Sequence, residues 1–391
     1  MTATLTSEGY TLGVVGGGQL GRMLAEAAGP LGVELVVLDP TPDCPASALA
    51  RDQICAEFDD PDALAELAER ADALTFEIEL ADPDLMERVG GDAGVPVHPS
   101  PDTLRTIQDK LVQTEALADA GVPVPEFRGV DGPEELEAAL EELGRPAMAK
   151  ARTGGYDGRG NAPVASVEDA EAYFGDCSDL IVEKLVDFER ELSVIGVKGD
   201  GERDAFPVVE NVHETEILRE TVVPARTDDD TAARAREVAL DVLDTLEGRG
   251  VYGIELFERE SEGTNEILVN EIAPRPHNSG HYTIEGAHTS QFEQHVRGVL
   301  GLPLGSTALR GPVAMANILG DVDDPAPAEL AGYGDVLAMD GVSLHWYGKR
   351  EARPLRKMGH LTAVPLGDED APELLEHVRD ARGKLTFATD P

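Results

Sequence analysis

Residues Lys150 to Asn161 set four glycines among Lys150, Arg152, Tyr156, Asp157 and Arg159. No packing need explains that mixture. Glycine takes positive φ at little steric cost and lets another group approach the backbone, so such a loop can turn its N–H groups toward an anion and close over a polyphosphate. Lys150 ends the apolar run Pro146-Ala147-Met148-Ala149, which reads as a strand holding the ammonium at a fixed height beside the loop. The plainer alternative is a flexible hairpin tip, which has little use for Tyr, Asp and Arg between its glycines.

Two later stretches carry acids inside apolar runs, Glu255 within Val251–Phe257 and Glu271, after Asn270, within Ile267–Ile272. Burying a carboxylate is expensive unless something cationic compensates. Paired as a hairpin, the runs would put Glu255 and Glu271 on one face, suited to one or two hard cations; two unrelated exposed acids are the alternative. Without a cation the two would repel, so removing either is expected to leave the fold intact or slightly more stable. The following segment, Ala273 to His281, is too polar and too aperiodic for a helix and reads as a binding loop. His277 and His281 have the i, i+4 spacing of a helical zinc pair, but Pro276 and Gly280 argue against the helix. Toward the C-terminus, HWYGK (345–349) is followed by RPLRKMGH (353–360), a basic knot that is either an anion site or a local salt-bridge cluster, with the anion site favoured.

Elements must hold these groups in place. Thr11–Val15 is a buried-strand pattern running into GGGQLGRM (16–23), and Val33–Leu38 is a second strand ending in Asp39. This is G-x-G-x-x-G in a strand-turn-helix setting with an acid about twenty residues on, so a nicotinamide enzyme has to be considered beside a helix N-terminus offered to some other phosphate. Ala73–Glu79 reads as a strand whose C-terminal end brings Glu77 to where ligands sit in an open α/β sheet, a candidate for a ribose hydroxyl or an amine. Pro96, Pro99 and Pro101 mark the end of a first domain. A helix from Asp109, a strand over 124–130, a helix over 133–143 and a strand over 147–150 lead to the glycine loop. Beyond Leu180, period-two strands (181–184, 190–195, 205–213) and a helix over 228–246 indicate an α+β part with an antiparallel sheet.

The chain has 391 residues, enough for two or three domains, and a net charge of −44 that would repel nucleic acid. Its acids are interleaved with 41% hydrophobic residues, so it should fold. There are seven lysines, a composition resembling proteins of high internal salt, and this draws attention to Lys110, Lys150, Lys349 and Lys357. Three cysteines without a CxxC pair suggest a reducing cytoplasm. No basic N-terminal region or membrane-length apolar run is present, so a soluble, unexported protein is expected. GxxxxGK[ST] does not occur, so nucleotide binding is not of the P-loop kind.

Taken together, GGGQLGRM at 16–23, RTGGYDGRG at 152–160, NEIAPRPHNSGH at 270–281, HWYGK at 345–349 and RPLRKMGH at 353–360 resemble the 5-(carboxyamino)imidazole ribonucleotide synthase family of ATP-grasp ligases, over nearly the whole chain. The departures are Lys110, where the family commonly has arginine, and Lys184 inside the nucleotide hinge.

The resemblance implies an ATP-grasp fold of α/β and α+β parts: an N-terminal Rossmann-like pre-ATP-grasp domain (1–105) binding the ribonucleotide, an ATP-grasp domain (106–305) and a small β-rich C-terminal domain (306–391) completing the site. It implies ATP and Mg²⁺ as cofactors, bicarbonate and 5-aminoimidazole ribonucleotide as further substrates, and a cytoplasmic homodimer without nucleic-acid or membrane partners. It turns the first glycine turn toward the substrate's 5′-phosphate, with Gln19 and Leu20, rather than toward a dinucleotide. Lys110 and Lys150 would meet ATP phosphates under the loop Gly155, Tyr156, Asp157, Gly158, Arg159, Gly160, Asn161. Glu183, Lys184, Leu185 and Val186 would take the adenine, Glu191 the ribose with His213 nearby, and Glu255 and Glu271, beside Asn270, the magnesium. Arg275, His277 and Asn278 would position bicarbonate or carboxyphosphate, and Tyr156, Asp157, Arg159, Glu77, Lys349 and Arg356 would surround the aminoimidazole nucleotide, with Asp157 and Lys349 also near the chemistry. Another ATP-grasp carboxylate–amine ligase is the neighbouring reading.

Overall fold

The computed structural model describes residues 9–154, 160–261 and 263–387. The first unit contains β1 (Tyr10–Val15), α1 (Gln19–Ala28), β2 (Val33–Leu38), β3 (Asp52–Ile54), α2 (Pro61–Glu69), β4 (Ala73–Phe76) and α3 (Pro83–Ala93). Its four strands are parallel in the order β3-β2-β1-β4. Both faces are covered, which is why β1 and β2 read as continuous apolar runs: Leu12 and Val14 pack with α1, Val15 and Leu38 with α2 and α3. β4 stops at Phe76, earlier than expected, which leaves Glu77 and Glu79 beyond the strand end.

Two helices then bridge to the next unit, α4 (Pro101–Gln108), capped by Ser100, and α5 (Lys110–Asp119), capped by Asp109. The elements β5 (Phe127–Val130), α6 (Pro133–Leu143), β6 (Ala147–Ala151), β7 (Asn161–Val164), α7 (Val167–Phe174) and β8 (Leu180–Lys184) form a small antiparallel sheet, β5-β8-β6-β7. Ala147, Ala149 and Val182 pack beneath Leu136 and Leu140 of α6. By strand alternation Lys150, Ile181 and Glu183 face the other way.

The main sheet is built from β9 (Arg190–Lys198), β10 (Arg203–Ala205), β11 (Val209–Glu214), β12 (Ile217–Val223), β13 (Gly250–Ser261) and β14 (Thr264–Ala273), with α8 (Asp229–Thr245) on one face. Val194, Tyr252, Ile254, Leu256 and Val269 pack against Val238, Val242 and Leu243 of α8, so the odd-numbered residues of β13 face away from that core. The strand expected over 205–213 is two strands, interrupted around Pro207, which cannot donate to a ladder.

Helices α9 (Thr283–Gly286) and α10 (Gln291–Val299) precede β15 (Val313–Leu319), two-residue strands β16 (Ala326–Pro327) and β17 (Leu330–Ala331), and α11 (Tyr333–Leu337). The chain ends with β18 (Val342–Trp346), β19 (Glu351–Ala352), β20 (Lys357–Ala363), α12 (Ala371–Gly383) and β21 (Thr386–Phe387). The strands β15, β20 and β18 continue the main sheet to give nine strands: β14-β13-β9-β11-β12-β15-β20-β18, with β10 beside β9. Thr221 of β12 pairs with Met315 of β15, so hydrogen bonding runs through the boundary expected at 305/306. The first unit is fastened by His295 of α10, whose Nδ1 accepts the Val251 N–H at 3.1 Å while its other ring nitrogen lies 2.8 Å from Thr75 Oγ1. Burial pushes the His295 pKa down to about 3, so it stays neutral there.

Candidate active site

The small and main sheets face each other across a cleft, and its floor carries charge in matched pairs. Glu255 of β13 lies directly opposite Glu271 of β14. The register shifts between Glu255 and Leu256, so β14 has one extra residue there, Asn270. Such a bulge re-aims a side chain, which is how two consecutive residues both serve the cleft. Lys150 reaches across from β6, its Nζ 3.0 Å from Asn270 Oδ1 and 2.8 Å from Glu183 Oε2. Lys110, in the first turn of α5, puts Nζ 2.7 Å from Glu271 Oε1. Burial works against the Lys110 charge, yet Glu271, Glu183 and Glu255 together hold its pKa above the ordinary lysine value. Burial likewise works to raise Glu271, and Lys110 overrides it, leaving that carboxyl below the usual range. Glu255 goes the other way: burial and then the Glu271 charge push it up to about 7.

At the end of β8 the chain supplies Lys184, the strand's last residue, then exposed Leu185 and Val186. Lys184 and Val186 line a cavity of 220 Å³ together with Val124, Arg259 and Leu268. Lys184 is turned to Glu126 at 2.6 Å. Phe188 stacks on Phe257 with centroids 4.8 Å apart. His213 of β11 pairs with Glu191 of β9 at 2.7 Å; burial opposes the imidazolium, and the Glu191 carboxylate prevails to raise its pKa.

The binding loop expected over 273–281 leaves β14 and lies over the main sheet. Arg275 Nη2 is 2.8 Å from Glu79 Oε1, joining the loop to the first unit. His277 Nε2 is 3.4 Å from Glu255 Oε1. A Cβ on Gly253 would come within 2.4 Å of the His277 Cβ, so only glycine lets the loop lie this close to β13. Asn278 is buried, and neither polar atom of its side chain has a hydrogen-bond partner among the described residues. His281 is wholly buried within ring contact of His360, Tyr347 and Phe292, and burial drives its pKa well down.

The first glycine turn holds carboxylates of the chain itself. Gly17 N–H donates to Asp39 Oδ2 at 2.9 Å, Gly21 N–H to Glu77 Oε2 at 2.9 Å, and Gly18 N–H to Glu77 Oε1. Gly16, at φ +101°, brings the chain so near Glu77 that a Cβ would meet its Cγ at 2.5 Å. A dinucleotide would need those amides for its pyrophosphate and Asp39 for its ribose, so the nicotinamide reading fails here. Burial pushes Glu77 up to about 7, against the two backbone hydrogen bonds. Leu20 is a core side chain, so it can offer a ligand its backbone only. Gln19 meets the basic knot: Lys349 Nζ donates to Gln19 Oε1 and to the Lys357 carbonyl, both at 2.6 Å. Arg356 Nη1 donates to the Glu351 carbonyl at 2.8 Å, and burial first, then Arg353, lowers its pKa.

Gly155, Tyr156, Asp157, Gly158 and Arg159 lie outside the described residues. Gly160 passes its carbonyl to Ala151 N–H, and Asn161 begins β7 opposite Lys150. Residues not expected from the sequence also shape the site. Asp109 caps α5 and binds Arg152, 3.0 Å from its Nε, at the entry to the glycine loop. Gln291 grips the His277 backbone, accepting from N–H at 2.9 Å and donating to C=O at 2.7 Å. Asp109 is legible as an N-cap, whereas Gln291 lies ten residues beyond the end of the nearest motif and carries no sequence signal.

Comparison with known proteins agrees with this layout. Residues 10–108 match the ribonucleotide synthetase preATP-grasp domain, 115–292 the ATP-grasp domain, and 313–374 the phosphoribosylaminoimidazole carboxylase C-terminal domain. The N5-carboxyaminoimidazole ribonucleotide synthase of Brucella melitensis is 41% identical over 93% of this chain and 99% of its own length. The crystal structure of the N5-carboxyaminoimidazole ribonucleotide synthetase from Thermotoga maritima superposes with a TM-score of 0.87 at 41% identity, covering 97% of this chain and 100% of that one. The Aspergillus clavatus N5-carboxyaminoimidazole synthase, in complex with ADP and 5-aminoimidazole ribonucleotide, superposes with a TM-score of 0.87 at 36% identity, covering 96% and 99%. The chain belongs to the N5-carboxyaminoimidazole ribonucleotide synthase family of ATP-grasp ligases.

Proposed function

We propose that the protein joins bicarbonate to the exocyclic amine of 5-aminoimidazole ribonucleotide, converting ATP to ADP and phosphate through carboxyphosphate. The observation that carries this reading is one cleft in which Lys110 meets Glu271 and Lys150 meets Asn270 and Glu183, on the sheet whose next loop carries the buried Asn278 amide. Bicarbonate is a poor nucleophile and has to be held in line with the γ-phosphate. Lys110 and Lys150 are placed to meet the phosphates, with the hinge 183–186, Phe257 and Leu268 enclosing the base and Glu191 with His213 at the ribose. Arg275, His277 and Asn278 hold bicarbonate while one of its oxygens attacks the γ-phosphorus and the bond to ADP breaks. The amine nitrogen then adds to the carboxyl carbon, the carbon–oxygen bond to phosphate breaks, and the nitrogen's proton leaves with phosphate. Glu77, Gln19, Lys349 and Arg356 surround the ribonucleotide in this reading, with Tyr156, Asp157 and Arg159 from the glycine loop.

Glu255, Glu271 and the Asn270 amide offer hard oxygen donors that suit Mg²⁺, and no group of three His, Cys, Asp or Glu gathers among the described residues. Glu255 and Glu271, with Asn270 alongside, would hold the ion, which when bound would supply neutralisation of charge on the phosphoryl oxygens. The family resemblance adds a homodimer in the cytoplasm, and the free Cys44, Cys55 and Cys177 are compatible with a reducing setting. No helix among the described residues is long and apolar enough to cross a membrane. ADP release measured with each combination of ATP, bicarbonate and aminoimidazole ribonucleotide tests the reading: full rate should need all three, and a rate indifferent to bicarbonate would sink it.

A further inference from the structure

The two ring nitrogens of His277 have different neighbours. Nδ1 lies 2.9 Å from Ser279 Oγ and 3.4 Å from the Ser279 backbone nitrogen, while Nε2 lies 3.4 Å from Glu255 Oε1. A backbone N–H can only donate, so Nδ1 is the acceptor in that contact. Ser279 Oγ is also 2.8 Å from Ser193 Oγ, with Ser193 donating, and both serines are wholly buried. Because Ser193 supplies the proton of that contact, Ser279 keeps its own hydroxyl proton to donate to Nδ1.

We propose that Ser193 and Ser279 are positioning residues that hold His277 with Nδ1 as acceptor and the ring proton on Nε2, so that the ring presents an N–H to the oxygens of bicarbonate and carboxyphosphate. The inference rests on the reading of this loop as the bicarbonate site. Gln291 completes the frame by fixing the His277 N–H and C=O, and Gly253 lets the ring settle against β13. Second-neighbour hydrogen bonds of this kind choose the tautomer that a histidine shows to its ligand.

The test reads the ring nitrogens directly, in protein labelled with ¹⁵N-histidine and without substrates at mildly alkaline pH. The His277 signals are those lost in His277→Asn. Wild type should show Nδ1 unprotonated and Nε2 protonated, and Ser279→Ala should move both toward the average of two mixed tautomers, with Ser193→Ala producing a smaller shift. Should Ser279→Ala not fold, Ser193→Ala carries the test alone. A protonated Nδ1 in wild type, or signals unchanged in both variants, overturns the proposal. Losing one hydrogen bond in the frame should lower kcat/KM for bicarbonate by about tenfold with little change in the ATP KM. An equal loss for ATP would mean a general collapse of the site and would likewise overturn the positioning role. Turnover indifferent to bicarbonate in wild type would overturn the reading of the loop instead, and it is separable because the tautomer is read without turnover.

Discussion

Glu255 and Glu271 are direct partners across the β13–β14 ladder, yet it is Glu271 that has the Lys110 ammonium 2.7 Å away. The two acids are therefore not equivalent, as the sequence pattern had suggested. Glu255 has a pKa raised to about 7 from 4.5, so between those values the native state holds a proton that the unfolded chain has released. Stability then falls as pH rises through that window, by on the order of 3 kcal/mol in total. Urea unfolding without Mg²⁺ should show Glu255→Gln more stable than wild type above neutral pH and free of that slope. Glu271→Gln should be less stable, because it strands Lys110. Both should lose turnover by about a hundredfold or more at saturating Mg²⁺. A retained slope in Glu255→Gln would count against the assignment.

Lys150 and Glu183 are each 7% exposed and 2.8 Å apart, a buried pair between β6 and β8. Breaking such a pair by removing one partner costs about 3–5 kcal/mol, whereas replacing both by apolar groups is often neutral. Lys150→Met should therefore lower the melting temperature markedly, and Lys150→Met with Glu183→Leu should recover most of the loss. Neither protein should bind ATP well. ATP binding kept by the double variant would remove Lys150 from the phosphate site.

Much of this arrangement was legible. The strand β2 and the helix α6 have the bounds that the sequence pattern indicates, and β8 begins one residue earlier than expected, because each pairs a local signal with a covered face. Other parts were hidden for physical reasons. α10 buries Gln291, Gln294 and His295 along with its apolar residues, so its inward face does not look hydrophobic in sequence. The pairing of β12 with β15 joins residues about ninety positions apart, and nothing local to either strand specifies the partner. The G-x-G-x-x-G turn shows the opposite failure. Its strand-turn-helix geometry is present, but Glu77, which occupies the amides, comes from the end of β4, far along the chain.

The surface predicts a salt requirement. The chain has 76 acids against 32 lysines and arginines, so even complete pairing would leave 44 negative charges. Exposed pairs such as Arg51 with Glu34 contribute roughly 0.2–1 kcal/mol each and weaken as salt rises. The unpaired excess acts in the other direction and is the larger population. With the Debye length growing from about 3 Å at 1 M to about 10 Å at 0.1 M, repulsion reaches more neighbours as salt is removed. The melting temperature should fall steadily from molar to millimolar KCl. A flat or rising profile would show that the ion pairs outweigh the excess.

Lys349 joins regions that are 330 positions apart in the chain, because its ammonium rests on Gln19 at the first glycine turn and on the Lys357 carbonyl. Those two contacts fix the ammonium at the mouth of the glycine turn. In the proposed reading the basic knot forms one side of a phosphate pocket beside that turn. Each charge-assisted hydrogen bond to the phosphate contributes roughly 1.5–3 kcal/mol, and Arg356 can offer two aligned donors where Lys349 offers a compact charge. Lys349→Ala and Arg356→Ala should each raise the KM for aminoimidazole ribonucleotide by about tenfold to a hundredfold while the ATP KM holds nearly constant. Lys349 also lies 5.7 Å from the Tyr347 ring centroid, so its removal disturbs a buried aromatic as well, and kcat should fall more for Lys349→Ala than for Arg356→Ala. Measuring both KM values beside a melting curve decides the matter. A lower melting temperature with unchanged ribonucleotide KM would make the knot a structural cluster, and a change confined to ATP would contradict the division of the two nucleotides between the cleft and the glycine turn.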